Sequence, residues 1–315
     1  MTDHHNSPGQ SPSSEDQLAD GMIDLHCHIL PGLDDGAPNL SVALEMAKAF
    51  VADGVSVVAC TPHILPGLYH NDGPQIRLAT AKLQEELTKA NIPLKLVTGA
   101  DNHITPTFVA ELGSGHLLSI GDTRYVLVEP PHHIAPPRLE EMFFDLMVAG
   151  YVPILTHPER LSWIEAHYPT MRRLAEAGVW MQLTAGSLAG TFGRRPRYWS
   201  ERMLDEGCAQ ILATDAHDVS RRPPNLRQGR DLAAKRVGDA EADQMVIARP
   251  RGVLANAEPS SLGKPVLAGA GSEERKGSGG ANESTDAGQK RPAGEYSTLR
   301  GIANRLRFWG AGRGS

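Results

Sequence analysis

Two histidines separated by one residue, His26 and His28, end the first apolar run of the chain. Alternate residues of a β-strand face the same side, so these two imidazoles can bind one metal ion together. Cys27 between them faces the other side and is expected to pack in the core. Asp215 and His217 repeat the spacing after a later apolar run. The two pairs predict a metal centre built from strand ends.

Single imidazoles and carboxylates follow other apolar runs in the same way. His63, Asp101, Glu129 and His157 each lie at the end of one. Mixed nitrogen and oxygen ligands suit manganese, iron or zinc, and a carboxylate can bridge two ions. The alternative for Asp101 and Glu129 is an ordinary salt bridge at the mouth of the fold. The other histidines are not assigned as ligands, although His103 is near enough to line the pocket: His70, His103, His116, His132, His133 and His167.

Two arginines accompany these candidate ligands. Arg160 follows His157 in the segment HPER, and Arg222 follows His217 in the segment RRPP. Planar guanidinium groups bind phosphate oxygens in bidentate fashion, so metals and arginines at one mouth indicate a phosphoester substrate. The alternative for Arg222 is pairing with a surface acid. The sequence has no glycine-rich phosphate loop and no serine nucleophile elbow, which disfavours a nucleotide-binding fold and a serine hydrolase.

The elements that position these residues alternate between apolar strands and amphipathic helices. Such near-continuous apolar strands predict a parallel sheet that is buried on both faces. Ligands from many strand ends favour a closed barrel, whose active site lies at the carboxyl ends of the strands, over a doubly wound sheet with one switch point. The predicted strands are 22–28, 55–60, 94–98, 125–128, 152–155, 179–183 and 209–213. The predicted helices are 40–51, 75–90, 106–112, 138–149, 168–177, 197–206, 226–237 and 240–248.

Composition narrows the class of protein further. The chain has 315 residues, 40% hydrophobic and 22% charged, as in an ordinary globular enzyme. No run of about 18 apolar residues predicts a membrane span, and no secretory signal is expected. Three cysteines do not form a disulfide framework, which predicts a cytoplasmic protein. The net charge of −6 divides into +4 for residues 259–315 (nine basic, five acidic) and therefore −10 before them, which argues against nucleic-acid binding.

The polar composition of the termini predicts tails outside one domain. Residues 1–21 are expected to be disordered, residues 22–258 to form the domain, and residues 259–295 to form a flexible linker. Residues 296–315 form a short basic amphipathic segment that would contact a partner or the inner face of a membrane, the alternative being a weakly helical tail without function. Tyr296 is a hypothetical phosphorylation site. The apolar face of that segment consists of Leu299, Ile302, Leu306 and Trp309.

In this order the motifs resemble the PHP (polymerase and histidinol phosphatase) superfamily. Within it, they are most similar to the bacterial tyrosine-protein phosphatases encoded with capsule and exopolysaccharide genes. The resemblance covers residues 22–258. It is carried by MIDLHCHILPGLDDGA at 22–37, CTPH at 60–63, GAD at 99–101, RYVLVE at 124–129, THPER at 156–160 and ATDAH with RRPP at 213–224.

This resemblance implies a distorted seven-stranded (β/α)7 barrel with up to three divalent metal ions, often manganese. It implies that Arg160 and Arg222 hold the phosphate and that Asp34 or Asp35 lies near the metals, as a ligand or a proton donor. The implied substrate is phosphotyrosine on a tyrosine autokinase that controls polysaccharide chain length. The implied metal ligands are His26, His28, His63, Asp101, Glu129, His157, Asp215 and His217.

The chain departs from that pattern at two positions. Asp101 stands where the family commonly has glutamate, and Thr184 where it commonly has asparagine. Two other functions fit the residues as well. One is a small-molecule phosphatase acting on histidinol phosphate or a sugar phosphate, and the other is a metal-stabilised protein that binds the kinase without catalysis.

Overall fold

The computed structural model describes residues 21–267, which form an α/β fold whose paired strands are all parallel. The strands are β1 (Met22–Cys27), β2 (Val55–Cys60), β3 (His63–Ile64), β4 (Lys95–Thr98), β5 (Asp101–His103), β6 (Tyr125–Glu129), β7 (Val152–Thr156), β8 (Trp180–Thr184) and β9 (Ile211–Ala213). The helices are α1 (Leu40–Asp53), α2 (Gly73–Lys89), α3 (Phe108–Ser114), α4 (Leu139–Val148), α5 (Ile164–Ala177), α6 (Ala185–Ala189), α7 (Arg194–Asp205), α8 (Leu226–Val237), α9 (Asp239–Asp243) and α10 (Arg249–Leu254).

The strands form two sheets, a 3-stranded sheet in the order β1-β2-β4 and a 6-stranded sheet in the order β3-β5-β6-β7-β8-β9. Each predicted strand is present. Two of them continue after a short break, β2 into β3 across residues 61–62 and β4 into β5 across residues 99–100. The backbone N–H of Asp101 donates to the carbonyl of Pro62 at 3.2 Å, which keeps the broken strands side by side.

The first strand also meets the segment after the last strand. Cys27 forms an isolated parallel bridge with Ala216. The N–H of His28 donates to the carbonyl of Ala216 at 2.9 Å, and the N–H of Asp215 donates to the carbonyl of His26 at 2.9 Å. These bonds bring the two ligand pairs that the sequence singled out into contact.

Alternation along the strands separates two apolar clusters. On β6, Tyr125 and Leu127 belong to a small cluster of strand residues, whereas Val126 and Val128 belong to the large cluster beneath the helices. Burial of one such side chain stabilises the fold by about 1.5–3 kcal/mol. The strands are therefore buried on both faces, as their near-continuous apolar sequences predict.

An irregularity in β1 places the first histidine pair. Ile23 and Leu25 lie in the small cluster, and strict alternation would put Cys27 there as well. Instead, the pairing with β2 shifts register between Asp24 and Cys27, and Cys27 packs in the large cluster. The shift confirms that the thiol packs in the core, and it turns His26 to the metal side.

The helices differ from prediction mainly at their ends. Helix α5 begins at Ile164, before the predicted start at residue 168, and contains Pro169. The short helix α6 was not predicted, and the predicted helix 240–248 is divided into α9 and one π-helical turn, Gln244–Ala248, which leads into α10. The start of the predicted linker is folded, because Leu262 packs against the small cluster.

Most residues of the predicted tails are outside the part of the chain that the structure describes. Residues 1–20, the linker after residue 267, and the amphipathic segment 296–315 with Tyr296 are outside the described residues. Within residues 21–267, no helix is long and apolar enough to cross a membrane.

Candidate metal centre

The ends of the strands bring every predicted metal ligand into one buried centre. At its base, Nε2 of His26 lies 3.1 Å from Nε2 of His28. Nε2 of His26 is also 3.4 Å from Oδ2 of Asp101 and 3.5 Å from Oδ1 of Asp215, and Nε2 of His28 is 3.2 Å from that same oxygen of Asp215. These side chains are almost completely buried. His26, His28 and Asp101 thus offer one position for a cation, with Asp215 beside it.

A second group surrounds the carboxylate of Glu129. Its Oε2 lies 3.1 Å from Nδ1 of His63 and in contact with Nε2 of His103. Its Oε1 lies 3.3 Å from Nε2 of His132 and 3.5 Å from Nε2 of His157. Glu129 therefore faces two imidazoles on each oxygen, a geometry that suits a carboxylate bridging two ions.

A third group lies nearer to solvent and contains Asp35, whose side chain is 47% exposed. Oδ1 of Asp35 is 3.6 Å from Nε2 of His63 and 3.4 Å from Nε2 of His217. Asp34 has another position, because its Oδ2 lies 2.6 Å from Nδ1 of His28 and accepts from the N–H of His63 at 3.0 Å. Of the two adjacent acids, Asp35 faces the centre and Asp34 orients the ligands.

Several atoms of the centre have no hydrogen-bond partner although they are buried. They include Oδ1 of Asp101 and Nδ1 of His157, and also Oε2 of Glu129 and Nδ1 of His63, which lie 3.1 Å apart without hydrogen-bond geometry. A buried polar atom that is left unsatisfied costs about 1–3 kcal/mol. Divalent cations would satisfy these atoms, and the mixed imidazole and carboxylate donors match manganese, iron or zinc. The residues present therefore fit the metals that the sequence predicts.

The charges of the centre favour a cation. Burial alone would raise the pKa of Asp215, but Arg222, His26 and Arg160 hold it well below its usual value. Burial would likewise lower the pKa of His26, yet Asp101 and Asp215 raise it to about 9. The negative potential that favours a proton on His26 also favours a divalent cation, which would displace that proton.

Backbone strain is concentrated in the same place. His157 has φ 34° and Asp215 has φ 52°, the left-handed region that residues other than glycine rarely adopt. Such a conformation costs about 1–3 kcal/mol and persists where the surrounding structure imposes it. At both positions the unusual backbone lies within two residues of a strand end and at a predicted ligand.

The predicted phosphate ligands converge on one carboxylate. Arg160 and Arg222 both contact Oδ2 of Asp215. The ring of Phe192 packs beside them, with its centroid 4.3 Å from Cζ of Arg160 and 5.8 Å from Cζ of Arg222. Both guanidinium groups are thereby held at the edge of the metal centre, where they could reach a phosphoryl group.

Neighbouring residues hold the ligands and their loops in place. Oε1 of Gln182 lies 2.8 Å from Nδ1 of His26. Buried Glu159 accepts from the N–H of Thr184 at 3.0 Å and from the hydroxyl of Ser187 at 2.7 Å, and burial raises its pKa. The ring of Tyr69 stacks on His63 at 5.6 Å.

Sequence reasoning missed two histidines of the centre. The sequence assigns neither His103 nor His132 as a ligand, yet both contact Glu129. The signal for His103 was available, because Asp101 and His103 have the same spacing as His26 and His28. No comparable pattern marks His132. Across residues 21–267, every group of three or more side chains that could hold a metal lies in this centre.

Comparison with known proteins gives one consistent result. A family model described as capsular polysaccharide synthesis, CpsB/CapC, matches residues 22–255. Tyrosine-protein phosphatase YwqE of Bacillus subtilis is 37% identical over 217 residues, which cover 69% of this chain and 85% of the relative. Tyrosine-protein phosphatase CpsB of Streptococcus pneumoniae is 23% identical over 238 residues, 74% and 98% of the two chains.

A solved structure agrees with the sequence relatives. It belongs to a study of YwqE from Bacillus subtilis and CpsB from Streptococcus pneumoniae, described as unique metal-dependent tyrosine phosphatases. Its TM-score to this chain is 0.73 at 34% sequence identity, and the match covers 78% of this chain and 99% of the other.

Proposed function

This chain belongs to the CpsB/CapC family of capsular polysaccharide synthesis, and we propose that it is a metal-dependent protein-tyrosine phosphatase. The proposal depends on one observation. A buried cluster of imidazoles and carboxylates that could hold metal ions has Arg160 and Arg222 at its edge. Arginines beside metal ligands are suited to binding a phosphoryl group, because the arginines and the metal ions can both neutralise its negative charge.

We propose further that the two sheets form one distorted seven-stranded barrel. Joining β2 to β3 and β4 to β5 makes seven continuous strands, and the bridge between Cys27 and Ala216 supports contact between the first and the last. This arrangement would place all strand ends around one mouth. Residues 22–258 would be the catalytic domain, followed by the linker and the amphipathic segment.

The proposed ligand set contains the predicted residues and three additions. His103, His132 and Asp35 would join it, the first two through Glu129 and the third through His63 and His217. The donor types support manganese, with iron or zinc as alternatives, and the separate groups allow up to three ions. The proposed ligands from the sequence are His26, His28, His63, Asp101, Glu129, His157, Asp215 and His217.

When bound, the metals would make water more acidic and withdraw charge from the phosphate. Arg160 and Arg222 would bind the non-bridging oxygens and would leave Asp215 free to bind metal. Phe192 would orient both guanidinium groups by packing against them. The position of Asp35 between two imidazoles favours the role of ligand over that of proton donor.

We propose that the substrate is a phosphotyrosine protein, specifically a tyrosine autokinase of polysaccharide synthesis. Support comes from the family description and from the names of the curated relatives. Action in the cytoplasm would suit three buried cysteines that are all unpaired. A contact of residues 296–315 with the membrane face or a partner, and phosphorylation of Tyr296, remain predictions.

The test uses full-length protein that is stripped of metal and reloaded with Mn²⁺. It is assayed on a phosphotyrosine peptide and on histidinol phosphate, with His157→Ala as the control. We expect metal-dependent release of phosphate from the peptide that the variant does not support. Preference for histidinol phosphate would indicate a small-molecule phosphatase. Inactivity towards both substrates with metal bound would contradict the proposal and favour a binding protein.

A further inference from the structure

A groove of about 670 Å³ lies between helices α5 and α7, outside the metal centre. Three arginines, one acid and three aromatic rings line it. The lining on which the argument depends is Arg194, Arg195, Arg202, Tyr198, Trp199 and Glu165. A concave surface with positive charge and aromatic rings suits a peptide that carries carboxylates.

The groove begins beside the proposed phosphate-binding arginines. Arg195 donates to the carbonyls of Leu161 at 3.2 Å and Ser162 at 2.7 Å, the residues that directly follow Arg160. Helix α7 starts shortly after Phe192, which packs against Arg160. A chain leaving the metal centre would therefore reach the groove within a few residues, each spanning about 3.3 Å when extended.

The residues of the groove have distinct positions. The Nε–H of Arg202 donates to Glu206 at 2.8 Å, and Cζ of Arg202 lies 4.4 Å from the ring centroid of Tyr168. Arg194 is exposed and makes no ion pair or hydrogen bond within residues 21–267. Tyr198 is 55% exposed beside it. Arg194 thus offers an unpaired guanidinium group near the start of helix α7, whereas the charge of Arg202 is paired with Glu206.

The surrounding charge makes this site distinctive. Residues 21–258 carry a net charge of −6, because four of the acids in the count above lie in residues 1–20, and buried acids such as Asp101, Glu129 and Asp215 account for much of that charge. A local positive groove on such a body concentrates acidic segments at one place. We propose that the groove binds acidic residues that flank the phosphotyrosine of the protein substrate, an inference that rests on the proposed phosphatase function.

The experiment compares Mn²⁺-loaded full-length wild type with Arg194→Glu. The substrates are free phosphotyrosine and two phosphotyrosine peptides of equal length, one with Asp and Glu at the flanking positions and one with Ser and Gly. Arg197→Glu is the matched control, because Arg197 is on the same helix and 53% exposed but does not line the groove. The dissociation constant of a fluorescent, unphosphorylated acidic peptide is measured in parallel by anisotropy.

We expect wild type to prefer the acidic peptide, and Arg194→Glu to raise the KM for that peptide about two- to fivefold, in the range of exposed charge pairs. The kcat and the turnover of free phosphotyrosine should stay unchanged, and Arg197→Glu should behave as wild type. Equal KM values for both peptides in wild type would overturn the inference. So would an equal loss on free phosphotyrosine, which would assign Arg194 to the metal centre.

Failure of the proposed function gives a different result. If wild type hydrolyses none of the phosphotyrosine substrates, the phosphatase proposal fails, and the anisotropy measurement still decides whether the groove binds acidic peptides. If Arg194→Glu weakens peptide binding and Arg197→Glu does not, the groove is supported as an acidic-peptide site even though the phosphatase proposal fails. If all three proteins bind the acidic peptide equally, or if none of them binds it, the proposed peptide site is contradicted.

Discussion

Two buried charged clusters at opposite ends of the strands are built in contrasting ways. Before β9, the guanidinium of Arg249 is paired with Glu241 at 2.7 and 3.1 Å and also donates to the carbonyl of Gln210 at 3.2 Å. After β9, the metal centre contains buried atoms without hydrogen-bond partners, such as Oδ1 of Asp101, and a strained backbone at Asp215. The first cluster is complete within the protein, whereas the second leaves buried polar atoms that a cation could satisfy.

This difference separates a structural role from a functional one. A buried ion pair whose hydrogen bonds are satisfied contributes to a defined fold, and removal of one partner leaves a charge without compensation. Unsatisfied atoms and strained residues instead weaken the protein until a cation binds. We therefore expect changes at the Arg249 end to alter stability and changes at the metal centre to alter activity and metal binding.

The largest expected effect is on stability. Glu241→Ala should lower the free energy of unfolding by about 3–5 kcal/mol, because it leaves the buried charge of Arg249 unpaired. Urea denaturation of the metal-free protein measures the change. The double variant Glu241→Ala/Arg249→Met should recover part of the loss. A loss below about 1 kcal/mol in the single variant would show that the pair is not the structural element described here.

The next effect is on activity and distinguishes the other cluster. Arg222→Ala should lower kcat by about 10²–10³-fold, the usual cost of losing one charged group that stabilises a phosphoryl transition state. The metal-free variant should lose less stability than Glu241→Ala, because Arg160 still contacts the buried carboxylate of Asp215. Turnover near that of wild type would remove Arg222 from the proposed site.

Metal binding should stabilise the protein by the same amount whether or not the Glu241–Arg249 pair is intact. Mn²⁺ at about 100 times its dissociation constant should stabilise wild type by about 2.7 kcal/mol, because the ion binds only the folded protein. Glu241→Ala should gain the same amount, since distant sites contribute additively. Thermal unfolding with Mn²⁺ and with a chelator measures the gain. Equal melting temperatures in the two solutions would contradict a metal centre.

The smallest expected effect tests the histidine that the sequence did not identify as a ligand. His103→Ala should weaken Mn²⁺ binding about 10–100-fold, in the range found when residues supporting a metal site are removed. Titration calorimetry and the metal content after dialysis measure it, independently of activity. His116→Ala is the control, because His116 is exposed and outside the centre. An unchanged affinity of His103→Ala for Mn²⁺ would show that His103 lines the pocket without binding metal.

Much of the molecule follows from local sequence patterns. Apolar runs between amphipathic segments predicted seven of the nine strands of residues 21–267, all but the short β3 and β5, because burial on both faces requires continuous apolar residues. The spacing of His26 with His28 and of Asp215 with His217 predicted ligand pairs, because a strand repeats every two residues. Family membership agreed with the motifs that carried the resemblance.

Other features depend on contacts between distant segments, and local patterns carry no record of them. The early start of α5, the helix α6 and the folding of Leu262 onto the small cluster arise from tertiary packing that overrides local preference. His132 contacts Glu129 from only three residues further along the chain, but no periodic pattern marks the turn that brings them together.

The sequence alone determined which side chains end each strand, and therefore the type of chemistry. The tertiary structure decided how they meet: the register shift in β1, the left-handed backbone of His157 and Asp215, and the convergence of Arg160 and Arg222 on one carboxylate. The reason is physical. Residue type and periodicity act over a few residues, whereas distances of about 3 Å between ligands depend on strand register and hydrogen bonds between segments that are far apart in the chain.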